Sequence, residues 1–175
     1  GFGASPPPRD GDYTPAGAAR AVLELITEAI GRPVHIFGNS MGGAIAVQLA
    51  ARAPQWVRSM TLVSPALPGG KIMKTNAHLP VIAVPGVGER VLRRYLKVSP
   101  ELRAKATIDM CFGDSSRMHP ERMAEAVAEV TRRDGLPYTG DAFVQSTRGL
   151  LATMLERGAQ RPAELMKRIE CPVLL

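Results

Sequence analysis

The chain has 175 residues, 45% hydrophobic and 22% charged, which suits one packed domain with a small appendage and excludes a disordered, collagen-like or coiled-coil chain. No run of about 18 apolar residues occurs, so no membrane span is expected. Lys and Arg (22) outnumber Asp and Glu (16) for a net charge of +6, but the charges are scattered and aromatics make up only 5%, so the basic stripe and stacking platforms of a nucleic-acid binder are both missing.

Residues 5–12 are rich in Pro, Gly and Asp and read as a surface loop. Thr14-Pro15 supplies an N-cap and a first-turn proline, and Val22, Leu25, Ile26, Ala29 and Ile30 recur at helical spacing until Gly31. Val34 to Phe37 predicts a short buried strand, and Gly38 to Gly43 a tight turn. Met41 to Ala53 is apolar on all sides and predicts a helix enclosed in the domain, stopped by Pro54. Val57 to Val63 predicts a second strand, ended at Ser64-Pro65. Strand, helix and strand within about 30 residues form the βαβ unit of a parallel sheet.

The pattern changes after Pro68. Segments 89–96, 100–110 and 120–133 read as helices, with no strands alternating between them. Residues 68–140 carry 12 Lys and Arg against 8 Asp and Glu and predict a helical insertion. A helix over about 141–157 and the stretch Glu164 to Ile169 lead to a last strand, Val173 to Leu175. The expected organisation is therefore a sheet core over 1–67, the insertion over 68–140 and a return to the core over 141–175. The chain opens without a charged, apolar leader and closes abruptly on a strand, which suggests that it is cut there. Cys111 and Cys171 form no C-x-x-C and read as free thiols in a reducing compartment, so a cytoplasmic location is expected.

Chemistry concentrates at Gly38-Asn39-Ser40-Met41-Gly42, a G-x-S-x-G turn between a predicted strand and a predicted helix. Such a turn holds its serine in a strained backbone conformation with the hydroxyl exposed. Chain segments crowd this bend, so Gly38 and Gly42 are expected to be small by necessity, and Gly43 to allow still closer packing. The helix aims its free amides at the serine, which makes the Met41 N–H an oxyanion donor. The competing reading, a nucleotide-binding glycine turn, lacks both G-x-G-x-x-G and the lysine of a phosphate-binding loop.

Three stretches now carry a resemblance. Gly1-Phe2-Gly3-Ala4-Ser5 resembles the P-G-F-G-x-S loop after the fourth strand of the α/β-hydrolases, Gly38 to Gly43 resembles their nucleophile elbow, and Ile169 to Leu175 resembles the start of their seventh strand. The resemblance implies a partial α/β-hydrolase fold of the lid-bearing serine type, with 68–140 as its helical lid. It implies Ser40 as nucleophile and the Met41 amide as oxyanion donor, with no cofactor. The family's catalytic His, acid and second oxyanion donor would fall outside this chain. The implied activity is hydrolysis of a small or medium hydrophobic ester. Serine at the elbow, where epoxide hydrolases and haloalkane dehalogenases carry Asp, argues against those relatives. Asn39, in G-N-S-M-G-G, also resembles the carbon–carbon hydrolases of aromatic ring-fission products, and a non-catalytic binding module with an intact elbow is the reading of a different class.

Other candidates carry plainer roles. His35 precedes Ser40 by five residues on one strand and reads as structural, His119 as a helix cap or solvated, and His78, in His78-Leu79-Pro80, as a loop residue. Asp109, Asp114 and Asp134 are too dispersed for a metal site. Met73, Met110, Met118 and Met123 read as core packing before pocket lining, Cys111 as a buried small apolar residue, and Tyr95 and Tyr138 as packing residues.

Overall fold

The computed structural model describes residues 3–68 and 77–175. Gly1, Phe2 and the stretch 69–76, including Met73, lie outside them. Two compact units emerge. One comprises the described residues of Pro8–Ile72 with Gln145–Leu175, and the other those of Gly1–Pro7 with Met73–Val144.

The first unit holds the sheet. Helix α1 (Pro15–Leu25) starts as its cap predicts, with the Thr14 hydroxyl accepting from the Gly17 N–H at 3.1 Å. It runs into one π-helical turn, Ile26–Ile30, closed by the left-handed Gly31, whose N–H donates to the Ile26 carbonyl at 2.8 Å. Strand β1 (Val34–Asn39), helix α2 (Met41–Arg52) and strand β2 (Val57–Val63) follow as the βαβ unit. The strand β3 (Val173–Leu174) pairs with β2, so the described sheet is parallel throughout in the order β1-β2-β3. Register sets Gly38 opposite Leu62 and Asn39 opposite Val63, which brings the C-terminal ends of β1 and β2 together.

Burial alternates along β1. Helix α2 packs on the sheet, and Ala46, Val47, Leu49 and Ala50 join Met60, Leu62, Ile26 and Leu165 in one core. Gln48 interrupts this apolar helix yet is 2% exposed, and its side-chain carbonyl accepts from Arg52 Nε at 2.9 Å, which removes the penalty of a bare buried amide. The alternate residues of β1 face the other way, and Phe37 is 70% exposed there.

The second unit is helical: α3 (Leu79–Ala83), α4 (Val87–Tyr95), α5 (Pro100–Cys111), α6 (Pro120–Asp134) and the first residues of α7 (Thr139–Met154), whose remainder belongs to the sheet unit with α8 (Pro162–Met166). Helices α3 and α4 pack together, as do α5 and α6. His78-Leu79-Pro80, expected as a loop, instead opens α3, because proline is tolerated in a first helical turn whose N–H has no intrahelical acceptor. Its partner residues at the loop before α4 cap in turn: the Gly86 N–H donates to the Glu89 carboxylate at 2.7 Å.

Candidate active site

The elbow is built as a strand-to-helix bend in one residue. Strand β1 runs through Asn39 and helix α2 begins at Met41, leaving Ser40 alone at φ 52°, ψ −118°. A β-carbon in the positive-φ region is strained, and such strain persists only where neighbours over-determine it. Three hydrogen bonds do so. The Ser40 N–H donates to the Val63 carbonyl at 3.0 Å, while the Ser40 carbonyl accepts from the Gly43 N–H at 3.0 Å and the Ala66 N–H at 2.8 Å. Both backbone groups of the serine are thus tied to the end of β2 and the turn beyond it.

Close packing supplies the rest. A β-carbon at Gly38 would lie 2.7 Å from the Gly42 carbonyl oxygen, and one at Gly43 would lie 2.5 Å from Pro65 Cβ. At Gly42 it would meet nothing within 4 Å. The expectation of crowding two residues after the serine is corrected accordingly: the steric constraint falls on Gly38 and Gly43. The sequence analysis read Val63 and Ser64-Pro65 only as the end of a strand and missed the bracing of Ser40 by the Val63 carbonyl and the Ala66 N–H.

Ser40 is exposed, and although it occupies the N-cap position of α2 its side chain makes no capping bond. The hydroxyl therefore remains available for chemistry, beside the Met41 and Gly42 amides of the first turn and the positive end of a 12-residue helix. Met41, half-buried, contributes the first of those amides.

Within the sheet unit, His35 lies away from Ser40. His35 precedes Ser40 by five strand positions, about 16 Å of extended chain, and its Nδ1 lies 2.7 Å from the Ser59 hydroxyl across the β1–β2 pair. It is exposed and tied to Ser59, as a structural cross-strand residue would be. His119 caps α6, accepting from the Glu121 N–H at 3.4 Å, and His78 is exposed at the start of α3. Cys111 is exposed at the end of α5, against the expectation of burial. Cys171 is half-buried, and burial pushes its thiol above the ordinary range, which disfavours a thiolate nucleophile. Among the described residues no three His, Cys, Asp or Glu side chains converge as a metal site would need.

The profile of the α/β hydrolase fold matches residues 1–86, the stretch that contains β1, the Ser40 bend, α2 and β2. Residues 1–86 carry the α/β-hydrolase fold. Among curated proteins similar to this chain, Lipase 1 of Psychrobacter immobilis is 40% identical over 67 residues, covering 38% of this chain and 21% of that protein. The dihydrolipoyllysine-residue acetyltransferase component of the acetoin cleaving system of Cupriavidus necator is 30% identical over 166 residues, 93% of this chain and 39% of that protein. A Pseudomonas aeruginosa structure assigned as an epoxide hydrolase superposes with a TM-score of 0.64 at 22% identity, over 93% of this chain and 54% of that one. This last likeness concerns the fold. The chain thus spans between about a fifth and about half of the proteins it matches.

Proposed function

We propose that this chain carries the nucleophilic centre of a serine hydrolase that cleaves small or medium hydrophobic esters. The observation that carries the reading is Ser40: a non-glycine residue held at positive φ, exposed, uncapped and poised at a helix N-terminus. The hydroxyl attacks the ester carbonyl, and the Met41 N–H donates to the oxyanion as the tetrahedral intermediate forms. The intermediate collapses with loss of the alcohol, and water then releases the acid from the acyl-enzyme. The general base and its orienting acid come from outside these residues, since His35 is engaged with Ser59 on another part of the sheet. Residues 1–175 alone therefore turn over little or no ester, and the helical segment acts as a lid.

The test is hydrolysis of p-nitrophenyl butyrate by the protein at its natural length and by its Ser40→Ala variant. The account expects measurable turnover that falls at least about 10³-fold in the variant. Equal rates would remove Ser40 from the reaction, and no turnover by either would favour a binding module. Asn39 gives one reason to hold a second reading, carbon–carbon hydrolysis of a vinylogous diketo acid. Cleavage of that substrate with no cleavage of esters would install it.

A further inference from the structure

The helical unit carries an open cavity of about 660 Å³ whose described lining residues all belong to that unit, a size within the range that holds drug-sized ligands. Ile82, Leu92, Leu96, Ala106, Met110 and Phe143 supply much of its apolar wall. Met110, expected as core packing, thus lines a cavity.

Most polar side chains on the wall already hold partners. Arg103, 5% exposed, donates from Nη1 to Asp134 Oδ1 at 2.9 Å and from Nη2 to Asp134 Oδ2, a bidentate pair, and from Nε to the Val98 carbonyl at 2.9 Å. Its guanidinium also lies 5.7 Å from the Tyr95 ring centroid. Arg133 Nε donates to Glu129 at 2.6 Å. The hydroxyls of Thr107, Tyr138 and Thr139 donate to the carbonyls of Arg103, Gly3 and Arg133. His78 and Tyr95, the remaining polar side chains on the wall, are exposed, as are Thr107, Arg133 and Asp134.

A carboxylate moved into such a space loses its hydration and finds both nearby guanidinium groups already paired with acids, one of which adds a like charge. A neutral alkyl or aromatic group loses only unfavourable water contact. We infer that the helical unit carries a binding site for a neutral apolar molecule that rejects the corresponding carboxylate, with the Arg103–Asp134 pair as the element that sets this preference. The site is a property of the helical unit and does not rest on Ser40 being a nucleophile.

The test uses the Ser40→Ala protein at its natural length, so that binding is read without turnover, with the neutral fluorophore 1-N-phenylnaphthylamine as probe. Saturable binding is expected, weakened at least about tenfold by Ala106→Trp, which fills the cavity, at unchanged circular dichroism. Glu125→Ala, on the exposed side of α6 away from the cavity wall, is expected to leave it unchanged. At about pH 8, where a free fatty acid is ionised, decan-1-ol is expected to displace the probe at concentrations at least about tenfold below decanoate. D134N leaves Arg103 without its counter-charge and is expected to narrow that gap. Should D134N fail to fold, the alcohol-against-acid comparison on the parent decides. Binding lost in Glu125→Ala, binding indifferent to Ala106→Trp, or decanoate competing as well as decanol would each overturn the inference.

Discussion

At the scale of single residues, the elbow separates three glycines that a motif treats alike. Gly38 and Gly43 press on backbone and on Pro65, whereas Gly42 faces open space. Gly38→Ala and Gly43→Ala should each destabilise the protein by about 1–3 kcal/mol, the ordinary cost of overpacking a tight site. Gly42→Ala should be neutral or slightly stabilising, because alanine favours a helix over glycine by up to about 1 kcal/mol. Urea unfolding midpoints of the three variants check the order; equal losses at all three positions would contradict the packing. The serine itself was legible from G-x-S-x-G and its flanking elements. Its braces were not, because Val63 and Ala66 act through backbone groups that carry no side-chain signature.

At the scale of elements, prolines did most of the signalling. Pro15, Pro100, Pro120 and Pro162 each open a helix, and the first three follow side-chain caps at Thr14, Ser99 and His119. The sequence reading placed α1, α5 and α6 within a few residues for that reason. It lost α3 because five residues show no period and Pro80 reads equally well as a breaker. The π-helical turn after Leu25 was also invisible, since it differs from an α-turn only in its hydrogen-bond register. Helix α6 offers a pH test. Hydrogen bonds from Arg132 and Arg133 hold the exposed Glu129 carboxyl down at about 2, below its ordinary 4.5. A carboxyl depressed on folding stabilises above its unfolded value, and that contribution fades as pH falls from about 4.5 towards 2. The thermal midpoint should drop through this window, and Glu129→Gln should flatten that part of the profile. A variant with the same acid slope as the parent would show that the pairs contribute nothing measurable, as exposed pairs often do.

At the scale of the whole molecule, the sheet is unevenly covered. One face carries α2 and the core around it, while Phe37 is 70% exposed and Leu174 and Leu175 are 65% and 84% exposed. Strands β1 and β3 form the edges of the sheet among the described residues. Apolar surface and unpaired strand edges of this kind promote association. Residues 1–175 expressed alone should therefore self-associate, and Phe37→Asp should raise the monomer fraction seen by analytical ultracentrifugation. A soluble monomer with one sharp cooperative melt would contradict this. The parallel relation of β1 and β2 was legible in the sequence because a βαβ unit joins parallel strands. The cavity in the helical unit was not, because its lining comes from α3 to α7 and from Gly3, and no local period encodes which faces of several short helices converge.

The account turns on a covalent bond at one oxygen. Mixing the protein at its natural length with p-nitrophenyl butyrate, quenching in acid within the first turnover and mapping peptides by mass spectrometry should place a butyryl group on Ser40 Oγ, with the adduct gone in Ser40→Ala. An acyl group on another residue, or product released with no acylated peptide at any quench time, would contradict a nucleophilic Ser40.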